Sequence, residues 1–282
     1  MALKRAYEEH EVGTGLRRIF TEARSYFDLP FVPTIIKVLA GHPEYLKRIW
    51  DDLAPVLTSR EFHAASKALE EFVHSEVIGG GWRFEDQQRV LAAENFSRHD
   101  IAVLNDVVST FSRAIPRLAL FVRLLQHGYT QGQPGSITPA KSVGALSQLI
   151  SVQVPNEKQA SLRVWLIYAD VKKTTGSSHV LGLLRVISPY PGYLASVWTE
   201  MKHIFQEPSF VRAAEEIGRR VSPLLVGLPV HDHRIGSKLK PEAWREIEQL
   251  IDGCARQLPQ FALAAAVWNR AFPQYTKIAG AA

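Results

Sequence analysis

42-HPEYLKRIW-50 is matched by 190-YPGYLASVW-198, with Pro43/Pro191, Tyr45/Tyr193, Leu46/Leu194 and Trp50/Trp198 each 148 positions apart. At the same offset Phe62 falls on Phe210 and Ala65 on Ala213. Further on, 112-SRAIPRLAL-120 matches 255-ARQLPQFAL-263, pairing Arg113/Arg256, Pro116/Pro259, Ala119/Ala262 and Leu120/Leu263 at an offset of 143. Motifs of the Pro-x-Tyr-Leu kind recur by chance in helical proteins. Two blocks in the same order at nearly one offset are better explained by duplication, and a loop shorter by a few residues accounts for the change. The halves run over 12–128 and 160–280. The stretch between them, 129–159, contains 130-TQGQPGSITPAKSVG-144, whose Gly, Pro, Ser and Thr suit a linker.

The repeated block is helical by its spacing. In 44-EYLKRIWDDLAPVL-57 the apolar residues Tyr45, Leu46, Ile49, Trp50, Leu53, Val56 and Leu57 recur every three or four positions. Pro43 marks the start, where a missing N–H costs nothing. The next helix opens at Thr58-Ser59-Arg60-Glu61, an N-cap hydroxyl and an acid spaced for a capping box, and stops at Gly79-Gly80-Gly81. Similar stripes fill 101–111, 118–125, 210–221 and 244–258. The run 164-VWLIYADV-171 is rich in β-formers, but no pair of alternating runs is joined by a tight hairpin turn. The fold class is all-α.

Composition excludes several classes. The 282 residues are 46% hydrophobic and 22% charged, with 33 Lys+Arg against 28 Asp+Glu and a single cysteine. That is a globular composition, large enough to bury its own core. One cysteine, Cys254, allows no internal disulfide and favours a reducing compartment. The longest apolar run, 258-LPQFALAAAVW-268, is short of the roughly 18–20 residues of a membrane span. The charged start 1-MALKRAYEEHEV-12 has no apolar targeting core. A cytoplasmic protein is expected, with no membrane or nucleic-acid partner, and a homodimer is compatible with this composition. The net charge of +5 reads as a solvated surface, with attraction of small anions second.

The segment 28-DLPFVPTIIKVLAGHPEYLKRIWDDLAPVL-57, together with 104-LNDVVSTFSRAIPRLALFVRLL-125 and the second copy, resembles the group I 2-haloacid dehalogenases. The resemblance implies two tandem, pseudo-symmetric helical repeats of an alkylhydroperoxidase/carboxymuconolactone decarboxylase-like fold. It further implies hydrolysis of a small 2-substituted organic acid by direct attack of an activated water, without a cofactor or metal. In the family an aspartate activates the water and an asparagine orients it. The aspartate's place, about eight residues before Pro191, is Leu183 here, after Gly182; no asparagine occurs within 111-FSRAIP-116. The aromatic positions on the halide side fall on Phe31, still aromatic, and Thr34, which is polar.

The site expected from this match lies between the repeats. Phe31, Thr34 and Ile35 would wall it from the first copy and His179, Gly182 and Leu183 from the second, with Ser112 nearby. His179 lies opposite Phe31 at the offset of 148, in a segment 170-DVKKTTGSSHVLG-182 read as a loop. A neutral imidazole there would be the base, and Ser112 a donor to a bound anion. The bland alternatives are a loop histidine bonded to backbone and a helix hydroxyl bonded to the preceding turn. The competing functional reading is a non-dehalogenating relative that binds or transforms a hydrophobic small molecule in the inter-repeat cavity.

Three other patterns are weaker. Glu71-Phe-Val-His74 and Glu200-Met-Lys-His203 have the E-x-x-H spacing of di-iron bundles, but they fall at non-equivalent points of the repeat and read as surface pairs. His231-Asp-His233 offers too few ligands for a zinc site. Arg113 and Arg256, paired by the repeat, could hold a carboxylate if they faced a cavity.

Overall fold

The computed structural model describes residues 5–127, 138, 154–228 and 239–272. Among these the chain forms helices and turns, with no strand. In order they are α1 (Thr14–Phe27), α2 (Thr34–Leu39), α3 (Pro43–Leu57), α4 (Arg60–Gly80), α5 (Gln87–Ala93) and α6 (Arg98–His127), then α7 (Leu162–Thr175), α8 (Gly182–Val186), α9 (Pro191–Phe205), α10 (Pro208–Val221) and α11 (Pro241–Arg270). The all-α class follows directly. All of the expected linker but Thr138 and 154–159 lies outside the described residues, as do the segment with His231 and His233 and the tail beyond 272.

Helix boundaries follow local chemistry. Pro43 and Pro191 begin α3 and α9. Ser59 caps α4, its hydroxyl accepting from Phe62 N at 3.1 Å, and Gly81 closes it in the left-handed region at φ 72°. The capping box does not form: the Glu61 carboxylate accepts from the backbone of Thr138 instead, at 3.0 Å. The β-rich run agrees with the all-α reading, and one further expectation is corrected. The β-rich run 164–171 is the middle of α7, burying Val164, Tyr168 and Val171 at helical spacing. The segment 170–182 is no continuous loop, because α7 runs on to Thr175 before Gly176 ends it at φ 66°. Burial of a helical stripe outweighs β-propensity there.

The helix starts recur along the chain. Those of α1/α7, α2/α8, α3/α9 and α4/α10 are 148 residues apart, and those of α6/α11 are 143 apart. A polar pair recurs with them. Trp50 Nε1 donates to Glu22 Oε2 at 2.6 Å, and Trp198 Nε1 donates to Asp170 Oδ2 at 2.8 Å, again 148 positions on. Each ties the helix after the proline to the helix two before it. In the second pair Lys202 also grips Asp170, and these bonds hold the carboxyl below the usual carboxylate range. Helices α6 and α11, each carrying an interior proline (Pro116, Pro259), make the most extensive helix contact of the molecule.

One core runs through the bundle, with Trp50, Trp268, Tyr193, Phe121 and Phe210 fully buried within it. At its far side Gln87 is wholly buried: its Oε1 accepts from Tyr193 Oη at 2.7 Å and from Trp268 Nε1 at 3.2 Å, while its Nε2 donates to Glu85 O. Three distant stretches, the start of α5, α9 and the end of α11, meet on that one amide.

Candidate functional site

The expected site divides into two places. In the first, the half-buried Phe31 and the buried Phe111 lie with ring centroids 5.3 Å apart, over Gly182. A β-carbon on Gly182 would come within 2.8 Å of Phe31 Cε2 and 3.7 Å of Phe111 Cε1. Glycine is therefore what lets the aromatic rings press onto the start of α8. Leu183 is completely buried, and Ser112 is 2% exposed with its hydroxyl lacking a hydrogen-bond partner. The place where a carboxylate and a water were sought holds aromatic rings and an aliphatic side chain.

Thr34, Ile35 and His179 face elsewhere. They line a cavity of about 390 Å³ bounded by α2, the turn 176–181 and one face of α11. From α2 come Thr34, Ile35, Val38 and Leu39; from α11, Glu246, Ile247, Leu250, Gly253, Cys254, Arg256, Gln257 and Phe261. Phe31 and His179, 148 positions apart, thus serve different surroundings: one ring sits against Gly182 and the other on the cavity wall.

The 176–181 turn is held firmly. Ser177 Oγ donates to His179 O at 2.6 Å and accepts from His179 N at 3.2 Å, so this hydroxyl is committed to the backbone. Val180 N donates to Glu157 Oε1 at 2.9 Å, and Glu157 also pairs with Lys172 at 2.5 Å. The buried Arg185 makes two bonds to Pro155 O, at 2.9 and 2.7 Å. Burial pushes the His179 imidazole below its ordinary pKa against the opposing pull of Glu157, and Lys172 and Arg185 push it the same way as burial. A neutral imidazole at neutral pH can accept a proton or a hydrogen bond.

That depression has a consequence for stability. A histidine whose folded pKa lies below about 6.5 favours the fold above that pH and loses its contribution as pH falls through the folded value. His179→Gln is therefore expected to flatten the acid limb of a urea-stability profile between about pH 7 and pH 5. An unchanged limb would mean that His179 is as solvated folded as unfolded.

The other candidates resolve simply. Burial pushes the Cys254 thiol up to about 12, so it is a thiol in an apolar wall and not a nucleophile. Arg113 donates to Ser109 Oγ on its own helix, whereas Arg256 stands on the cavity wall. Glu71 pairs with Lys67 and His203 with Glu207. Glu200 accepts from Glu85 N, and burial raises its carboxyl. Among the described residues no three His, Cys, Asp or Glu side chains gather as a metal site would need. None of the described helices is long and apolar enough to cross a membrane. Sequence reasoning missed most of the α11 wall; its trace there is the apolar stripe through Ile247, Leu250, Leu258 and Phe261.

Residues 30–181, more than half of the chain, match the family model described as "Halocarboxylic acid dehydrogenase DehI", and the chain belongs to that family. An (R)-2-haloacid dehalogenase of Pseudomonas putida is 23% identical over 235 residues, 81% of this chain and 77% of that protein. One from Rhizobium sp. (strain NHG3) is 21% identical over 233 residues, 80% and 88% of the two. The fold is shared with solved D-2-haloacid dehalogenase structures. A mutant with D-2-CPA gives a TM-score of 0.83 at 21% identity over 95% of this chain and 96% of that one. A complex with L-LA gives 0.82 at 20% identity over the same shares.

Proposed function

We propose that this member of the 2-haloacid dehalogenase family binds a hydrophobic small organic acid in the cavity between α2, the 176–181 turn and α11, and does not hydrolyse short 2-haloacids at the centre of the bundle. One observation carries the reading: Phe31 and Phe111 pack on Gly182, beside the fully buried Leu183. A direct hydrolytic displacement needs a base on a water and room for the reacting carbon about 3 Å from it. At that position the chain offers a leucine in place of a base, and the rings of Phe31 and Phe111 stand against the glycine beside it. We also read 12–128 and 160–280 as two copies of one unit, supported by the recurrent helix starts and the paired Glu22–Trp50 and Asp170–Trp198 contacts.

The test is halide release from each enantiomer of 2-chloropropionate, followed alongside thermal stability. The expected result is no release above background with either enantiomer, and a rise in melting temperature with a longer apolar acid. A second reading has its own support: His179 lies on the cavity wall with its imidazole held neutral. On that reading the cavity is hydrolytic, with His179 as base and a water as nucleophile. Steady halide release that is lost in His179→Ala would replace the first reading with the second.

A further inference from the structure

The cavity extends along α11 from Glu246 to Phe261, a stretch of roughly 22 Å at the helical rise of about 1.5 Å per residue. Its lining residues 246, 250, 253, 257 and 261 follow one another every three or four positions, so the space is a groove along one helix face. Cavities of about 300–1,000 Å³ suit drug-sized ligands. At about 390 Å³ this one is out of scale with a three-carbon acid.

Gly253 sits in the middle of that groove. A glycine inside a helix costs about 1 kcal/mol relative to alanine, and a close neighbour usually explains it. Here a β-carbon would meet nothing within 4 Å. The only thing a side chain at 253 would displace is the open space of the groove itself. Three positions on, the exposed Arg256 stands at the edge of the groove, between it and a second cavity lined by Glu215 and Asp252, and makes no salt bridge or hydrogen bond to a described residue. Ile35, Val38, Leu250 and Phe261 give the groove apolar walls, to which His179, Glu246, Gln249 and Gln257 add polar groups. A guanidinium with no described partner, beside a channel with apolar walls, favours a ligand with one carboxylate and a hydrocarbon body, since a guanidinium binds a carboxylate through two parallel hydrogen bonds.

We propose that the groove along α11 takes an elongated, medium-length carboxylic acid whose carboxylate is held by Arg256 and whose hydrocarbon body passes over Gly253. This rests on the binding reading above and adds the size class, the anchor and the path of the ligand. Glycine at 253 keeps the channel open, and Arg256 sets the preference for an anion over a neutral analogue.

The experiment is calorimetric titration of the full chain with propionate, decanoate and decanamide. Decanoate is expected to bind at least tenfold more tightly than propionate. Arg256→Gln is expected to weaken decanoate at least tenfold while leaving decanamide within twofold. Gly253→Phe should abolish binding of both ten-carbon probes, and circular dichroism and melting temperature should show the fold intact. Gly253→Ala keeps the test open should the larger side chain disturb the helix: it should weaken decanoate severalfold without lowering the melting temperature. Decanoate binding that survives Gly253→Phe overturns the path. Equal effects of Arg256→Gln on acid and amide overturn the anchor while leaving the binding reading standing. If none of the three probes binds wild-type protein, both that reading and this inference fall.

Discussion

Leu183→Asp, which places an acid at the position the family resemblance assigns to an aspartate, is expected to cost this fold about 4 kcal/mol or more instead of creating a hydrolase. Leu183 is completely buried at the start of α8, next to the glycine on which Phe31 and Phe111 rest. Removing a buried leucine forfeits about 1.5–3 kcal/mol of apolar burial. Burying a polar group without a partner adds roughly 1–3 kcal/mol more, and a charge costs further still. The new carboxyl would answer by raising its pKa. Its folded value then exceeds its unfolded value near about 3.9, so the penalty is smallest below that pH and grows as pH rises through the folded value. Urea denaturation of wild type and variant from pH 4 to 8 reads both the size and the slope. A variant as stable as wild type at neutral pH would mean that water already reaches this place.

Gln87→Ala is expected to cost about 3 kcal/mol, several times what loss of a single exposed amide would. Its Oε1 receives bonds from both Tyr193 and Trp268, and Gln87 itself is wholly buried. Deleting the amide leaves the Tyr193 hydroxyl without an acceptor and the indole N–H with only the hydroxyl, 3.2 Å away. Tyr193→Phe is the control, since it leaves Gln87 with Trp268 and should cost about 1 kcal/mol. A similar loss in both variants, by guanidinium denaturation, would show that the network acts through packing and not through its hydrogen bonds.

The sequence was most legible where one segment repeats another. Pro43/Pro191 and Tyr45/Tyr193 located α3 and α9, because a proline start and a three-to-four spacing are local properties. The Glu22–Trp50 and Asp170–Trp198 pairs are not legible in an identity match, because one uses glutamate and the other aspartate. The candidate site was half legible. Thr34, Ile35 and His179 do meet around a cavity, but Phe31 packs against Phe111, 80 positions further along. The α11 wall was read as core stripe, since a groove-lining face and a buried face have the same periodicity. Gly253 carried a usable signal, a glycine in mid-helix, and its meaning depended on the empty space around it.

The pairing of α6 with α11 also bears on how the chain reaches this state. The two helices are separated by more than a hundred residues, yet their contact is the largest in the molecule. Closing so long a loop costs chain entropy before any burial offsets it. A ribosome that has made α6 must synthesise the whole second half before the partner helix exists. Until then, the face of α6 that meets α11 lacks its final covering. The nascent first half is thus the aggregation-prone stage of this protein's life, and its window closes only when α11 leaves the exit tunnel.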